Sequence, residues 1–169
     1  GDHGMLEKRT LYEESARVPM LIKLQNQNDM KKIKGSFSHI DLVPTLLSKI
    51  NQKLPENLQG KDRSYAFEEL DFGSNEVVVS WNGTGEIDDR NLGTEKINDL
   101  NQNPRRSIII NRIKLNLTLN DSGELFDLNN DPYEETNLID SPEYQETKNI
   151  MKEKLIEWQI KNEDNFRFE

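Results

Sequence analysis

The sequence has 169 residues, a net charge of −9 from 31 acidic and 22 basic side chains, and no cysteine. This length suits one domain, but a hydrophobic share of 33% is low, so we expect a small core and long solvated loops. The acidic balance argues against nucleic acid and anionic lipid as partners, and no apolar run is long enough to cross a membrane. The lack of cysteine excludes disulfides and thiolate metal sites.

The opening stretch, residues 1–19, has the side chains best suited to chemistry. His3 exchanges a proton near neutral pH without needing a shifted pKa, and Lys8 is a compact cation suited to an anionic substrate group. Either residue alone is more often an ordinary surface side chain than a catalytic one.

The rest of the first half predicts a strand and a helix. The apolar run 17–22 predicts a strand, and the apolar spacing in 36–50 predicts a helix with Pro44 either in its first turns or at a kink. We interpret His39 and Asp41, at the start of this helix, as structural residues.

The second half changes to the two-residue period of strands. Alternation from Ile113 to Leu119 predicts one face in a core and the other, with Lys114, in water. We expect an antiparallel meander of about four strands, at 76–81, 106–110, 113–119 and 124–128. The polar stretch 82–104 between the first two is either a functional loop or disordered.

Three oxygen-bearing side chains at alternate positions, Asp127, Asn129 and Asp131, resemble the start of a calcium loop. Pro132 stands where such a loop needs glycine, and Leu138 where it needs a bidentate Glu. The stretch therefore predicts a strand end followed by a turn built on Asp and Pro.

The last predicted element is a helix that begins at Ser141-Pro142 and extends over 142–161. Its apolar face should pack on the meander. The residues of that face are Tyr144, Thr147, Ile150, Met151, Leu155 and Trp158.

Several motifs together resemble sulfatases, which are hydrolases of the alkaline phosphatase superfamily. The first group is Gly1-Asp2-His3-Gly4, Lys8-Arg9, Tyr12-Glu13-Glu14-Ser15 and Arg17-Val18-Pro19. The most specific motif is Glu124-Leu125-Phe126-Asp127-Leu128 followed by Asp131-Pro132, Glu134 and Asn137-Leu138, in which only Phe126 departs from the Tyr of the family. The resemblance covers residues 1–24, 36–62 and about 105–160 in the family's order.

Asp2-His3 matches the family in two registers. In one, the pair corresponds to residues that bind the catalytic metal; in the other, it belongs to a later motif near the substrate. We favour the second register because the family places more residues between the metal pair and its sulfate-binding Lys than separate His3 from Lys8. No metal ligand is then assigned to this chain, and the ligands are expected upstream of residue 1.

The resemblance implies an α+β fold and site residues. Residues 1–62 would be the end of the α/β catalytic domain, contributing a strand and a helix, and residues 63–169 a subdomain with an antiparallel sheet and a long helix. Lys8 would contact the sulfate and His3 the substrate or leaving group. Arg106 would either bind a charged sugar or cover the sheet edge.

The family's reaction needs groups that this sequence lacks. Sulfatases use a formylglycine, made in a Cys/Ser-x-Pro-x-Arg motif, and a divalent metal that is usually calcium. No such motif is present, so we expect the chain to have no cofactor of its own and to be inactive without an N-terminal catalytic portion.

Two other functions remain open. The complete enzyme would act on a phosphate or phosphonate ester if its nucleophile favoured that anion, or the chain would be a non-catalytic stabilising or binding module. For a sulfatase, the partners would be a sulfated small molecule or glycan and the N-terminal portion. The location is open, with a periplasmic or extracellular enzyme as the expectation.

Overall fold

A computed structural model describes residue 3 and residues 10–73, 76–82, 103–119, 121–166 and 168. The described helices are α1 Glu13–Ala16, α2 Leu42–Lys49, α3 Ala66–Glu69 and α4 Gln145–Lys161, with 3₁₀ turns at His39–Asp41 and Pro142–Tyr144. The strands are β1 Val77–Trp81, β2 Arg105–Ile110, β3 Ile113–Thr118 and β4 Glu124–Asp127. No helix in the described ranges is both long and apolar enough to span a membrane.

The chain divides into two compact units. The first contains Gly1–Pro19 and Val78–Glu169, and the second Met20–Val77. Segments distant in sequence therefore share the first unit. The predicted boundary after residue 62, which refers to the domains of a complete enzyme, stays a prediction.

The four strands form one antiparallel sheet in the order β1-β2-β3-β4, which confirms the predicted meander. Between β2 and β3, Asn111 and Arg112 have φ angles of 49° and 66°. A two-residue turn with positive φ at both positions matches the right-handed twist of the strands that it joins. Of the predicted loop 82–104, residues 83–102 lie outside the described residues.

One face of the sheet holds the hydrophobic core of the first unit. Ile108, Leu115 and Leu125 are fully buried there, and Met151 and Leu155 of α4 pack against them. These residues are removed from water together, which is the main force that holds α4 on the sheet. The predicted packing of the C-terminal helix on the meander is confirmed.

The second unit is organised around Asp41. Its carboxylate accepts hydrogen bonds from the backbone N–H of Lys61 at 2.8 Å and from Arg63 Nε at 3.3 Å. The Arg63 guanidinium also donates to the carbonyl of Phe72 at 3.0 Å. These contacts join α2 to the chain that follows it, and give Asp41 the structural role predicted for it.

Two expectations for this part of the chain are wrong. Residues 17–22 form no strand, because a strand requires a hydrogen-bonded partner and none of the described segments pairs with them. The predicted helix 36–50 is shorter, with Pro44 in the first turn of α2, where its missing N–H costs nothing. Val43 and Ile50, two of the apolar residues whose spacing predicts this helix, are 51% and 64% exposed.

Candidate functional site

The second face of the sheet is polar and buried. The strand register places Lys114 beside Ile109 on β2 and Phe126 on β4, and pairs Asn116 with Ser107 and Glu124. The expectation that this face meets water is wrong. Lys114 and Ser107 are 0% exposed, and Asn116 is 5% exposed. The buried charge of Lys114 requires anionic partners from the segments that cover this face, because an unpaired buried charge is costly.

The cover on this face includes residues 10–17, at the start of the chain. The Tyr12 hydroxyl donates to Glu124 Oε1 at 2.6 Å, and its ring meets the edge of the Phe126 ring with centroids 6.0 Å apart. Burial, together with the nearby Glu124 carboxylate, raises the pKa of Tyr12. Its hydroxyl therefore stays protonated as a donor at physiological pH.

Next to this contact, Glu13, Lys114 and Glu134 form a buried triad. Lys114 Nζ lies 3.2 Å from Glu13 Oε1 and 2.8 Å from Glu134 Oε1. The other Glu134 oxygen, Oε2, accepts a hydrogen bond from the backbone N–H of Glu13 at 2.6 Å. Burial raises the pKa of Glu134, and the Lys114 ammonium opposes that rise. The triad joins three segments that are distant in the sequence.

The structure places His3 on this same side. Its exposed ring stacks on the Tyr12 ring, with centroids 3.9 Å apart and planes 6° from parallel. Lys8 and Asp2 lie outside the described residues. The predicted roles of His3 and Lys8 remain predictions, but the described part of their segment is held against the polar face of the sheet.

Arg106 is on the opposite face, so the structure does not bring it together with His3. It is 2% exposed. Its Nε and NH2 groups donate to the two carboxylate oxygens of Asp164 at 2.6 and 2.8 Å, and its guanidinium lies 4.8 Å from the centre of the Phe166 ring. This geometry favours the structural alternative for Arg106, and its substrate-binding role stays a prediction.

The Arg106–Asp164 pair should make stability depend on acid pH. Hydrogen bonds from Arg106 hold the pKa of Asp164 below its ordinary value. The resulting stabilisation is present above the unfolded pKa of Asp, about 3.9, and is lost as pH falls through the lower folded pKa. Urea unfolding from about pH 5 down to about pH 2 should therefore show a shallower pH slope for Asp164→Asn than for the wild type. The exposed Asp140→Asn is the matched control, and equal slopes for the wild type and Asp164→Asn would contradict the prediction.

The Asp-rich stretch after β4 is a turn. Asp127 accepts hydrogen bonds from the N–H of Asn129 and from Asn130 Nδ2, while Asp131 accepts from the N–H groups of Glu135 and Thr136. Burial alone would raise the pKa of Asp127, but its hydrogen bonds lower it. The predicted Asp and Pro turn is confirmed.

The described residues, which do not include Asp2, form no side-chain cluster that fits a calcium site. No three His, Asp or Glu side chains within the described ranges are placed to hold a metal ion. The sequence also has no residue in a motif that becomes formylglycine. Calcium and formylglycine remain expectations for the complete enzyme.

Sequence reasoning did not identify the buried triad. An isolated Lys on an alternating strand is usually solvated, and its two carboxylate partners lie far away in the chain. A signal was nevertheless present: Glu13 and Glu134 belong to the two motifs most similar to sulfatases, and a buried cation such as Lys114 requires anionic partners. The pairing itself is a tertiary contact that no local pattern predicts.

Comparison with known proteins agrees with the motifs. Residues 1–74 match the family model described as N-sulphoglucosamine sulphohydrolase, C-terminal. The chain is 30% identical over 168 residues to an uncharacterized sulfatase, YidJ, of Escherichia coli strain K12, covering 99% of this chain and 31% of that protein. It is 29% identical to an ulvan-active sulfatase of Formosa agariphila, covering 94% of this chain and 32% of that protein.

A solved structure of a 2-O GAG sulfatase has the same fold, with a TM-score of 0.60 and 21% identity over 76% of this chain and 26% of that one. The chain therefore spans about a third of the length of the sulfatases that it matches in sequence. The family model, the sequence relatives and the fold agree that this chain is similar to the C-terminal part of sulfatases.

Proposed function

We propose that this chain is the C-terminal part of an enzyme that hydrolyses sulfate esters, with Lys8 at the sulfate and His3 near the substrate or leaving group. The observation that carries the proposal is the 30% identity to a sulfatase over 99% of the chain. The segment with Lys8 and His3 lies within the matched family model, residues 1–74. The polar face of the sheet holds Tyr12 and Glu13, which follow Lys8 in the chain, and Tyr12 stacks on His3.

The proposed role of Lys8 follows from its charge. Negative charge on the sulfate oxygens and the leaving group redistributes in the transition state, and a fixed ammonium close to those oxygens stabilises it. An ammonium is well suited to this because it is a compact point charge.

His3 suits a different task. Its imidazole is exposed and packed flat on Tyr12, so it is oriented while remaining accessible. An imidazole within hydrogen-bond reach of a leaving oxygen can act there as a general acid or base. This role requires the substrate to approach the side of the Tyr12 ring where His3 lies.

The proposed substrate class is a sulfated glycan. The ulvan-active sulfatase of Formosa agariphila, which matches 94% of the chain, supports this choice. Which sugar and which sulfate position are used depends on loops of both this chain and the N-terminal portion.

The test compares this chain alone with the complete enzyme, by which we mean this chain joined to an N-terminal sulfatase portion. With para-nitrophenyl sulfate and added calcium, the complete enzyme should release nitrophenol and the chain alone should not. Turnover by the chain alone that is abolished by Lys8→Ala or His3→Ala would show that the chain needs no other portion. An inactive complete enzyme would contradict the proposed function.

A further inference from the structure

Burying the charged side chains of the triad costs free energy, and the triad contacts the start of the chain at Glu13. Lys114 and Glu134 are 0% and 2% exposed, so both charges have been taken out of water. Removing two charges from water commonly offsets the attraction between them, and an apolar pair of similar volume often gives equal or greater stability. Stability alone therefore does not account for this choice of residues.

The triad holds one residue of the chain, Glu13, by two separate contacts. Glu134 uses one oxygen for Lys114 and the other for the backbone N–H of Glu13, at 2.8 and 2.6 Å. Lys114 in turn reaches the Glu13 side chain at 3.2 Å. Residue 13 is thus held by both its main chain and its side chain. Charge-assisted hydrogen bonds of this kind fix a position more sharply than apolar packing does.

Glu13, the residue that the triad holds, is close in sequence to Lys8 and His3, the two residues proposed for catalysis. Five residues of extended chain span at most about 18 Å, so fixing Glu13 limits where Lys8 can lie. Tyr12, which precedes Glu13, supports the His3 ring and is itself bonded to Glu124 at 2.6 Å. A shift of the chain at Tyr12 and Glu13 would move the support of the His3 ring.

We propose that Lys114 and Glu134 are positioning residues for sulfate hydrolysis, which hold Glu13 and through it the segment with Lys8 and His3. The inference rests on the proposed function. Neither residue contacts the substrate in this proposal. Their role is to place the segment from the face of the sheet that lies opposite the hydrophobic core.

A double variant separates positioning from stability. Lys114→Met alone leaves the buried Glu134 unpaired, whereas Lys114→Met with Glu134→Leu removes both charges and should recover much of the stability lost by the single variant. The double variant still cannot bind the N–H of Glu13. Its kcat/KM per folded molecule should therefore stay about tenfold to a hundredfold below wild type, mainly through kcat, because misplaced groups lose transition-state stabilisation.

The matched control is Leu155→Ala, in the core on the other face of the sheet. It should lower stability and leave kcat/KM per folded molecule unchanged, since it touches neither the triad nor the opening segment. A further cycle adds Lys8→Ala to the double variant. If the triad acts through Lys8, the combined loss should be close to that of Lys8→Ala alone and well below the product of the separate losses.

Kinetics are measured on the complete enzyme, and the folded fraction is measured by circular dichroism. Together, these measurements distinguish a failure of the positioning role from a failure of the proposed function. Low kcat/KM with recovered stability and a non-multiplicative cycle is the expected result. Normal kcat/KM in the double variant, or fully multiplicative losses, would overturn the positioning role while leaving the sulfatase proposal intact. A wild-type enzyme without sulfatase activity would overturn both.

Discussion

Replacing Lys114 by Met should lower the free energy of unfolding by about 3–5 kcal/mol, the scale found when one partner of a buried ion pair is removed. Lys114 is 0% exposed and lies between two carboxylates, at 3.2 Å from Glu13 and 2.8 Å from Glu134. Without the ammonium, Glu134 either holds an uncompensated buried charge beside the Glu13 carboxylate or takes up a proton, and both lower stability. We expect this to be among the largest stability losses for a single substitution in the chain.

Urea unfolding, monitored by the fluorescence of Trp81 and Trp158, measures this loss. The control is Lys53→Met, which makes the same change at an exposed position and should alter stability by no more than about 0.5 kcal/mol. If the Lys114→Met variant is as stable as the Lys53→Met control, the ion pairs of Lys114 with Glu13 and Glu134 do not stabilise the fold, and the prediction is wrong.

Replacing Lys8 by Ala should lower the kcat/KM of the complete enzyme for a sulfate ester by about tenfold to a thousandfold, the range for loss of one group that stabilises transition-state charge. The fall should appear in kcat as well as in kcat/KM, because the proposed contact strengthens in the transition state. Lys31→Ala, an exposed Lys in the polar stretch before α2, is the control and should be unchanged. Unchanged kcat/KM in Lys8→Ala would remove Lys8 from the site.

The sequence predicted the meander and the C-terminal helix because local patterns suffice for both. Alternation in β3 correctly separates Leu115 from Lys114, and the turn residues Asn111 and Arg112 fix where the hairpin closes. The stripe of Met151 and Leu155 needs only helical spacing to be recognised. In each case, the residues that decide the structure are close together in the chain.

What the sequence could not predict depends on distant partners. Alternation shows which residues share a face of the sheet, but not what covers that face, so Lys114 was expected in water. Gln159 in α4 is 0% exposed, and its amide group donates to Asp164 and to the carbonyl of Phe166. A polar side chain is normally predicted to be exposed, so the sequence did not indicate this burial. The run 17–22 is apolar enough for a strand, but no described segment pairs with it.

For the candidate site, too, local motifs and distant contacts supplied different information. Side-chain chemistry made Lys8 and His3 candidates, and similarity to sulfatase motifs predicted a role for each. The structure adds the reason for a polar sheet face beneath their segment, and it places Arg106 on the other face in a bidentate pair with Asp164. The motifs thus provide the site predictions, and the tertiary contacts show how Tyr12 and Glu13, which follow these residues in the chain, are held.

The most direct test of the proposed function compares para-nitrophenyl sulfate with para-nitrophenyl phosphate as substrates of the complete enzyme. We predict a higher kcat/KM for the sulfate, and a decrease in that value in Lys8→Ala. A higher kcat/KM for the phosphate, or no turnover of the sulfate at all, would contradict the assignment of this chain to a sulfate ester hydrolase.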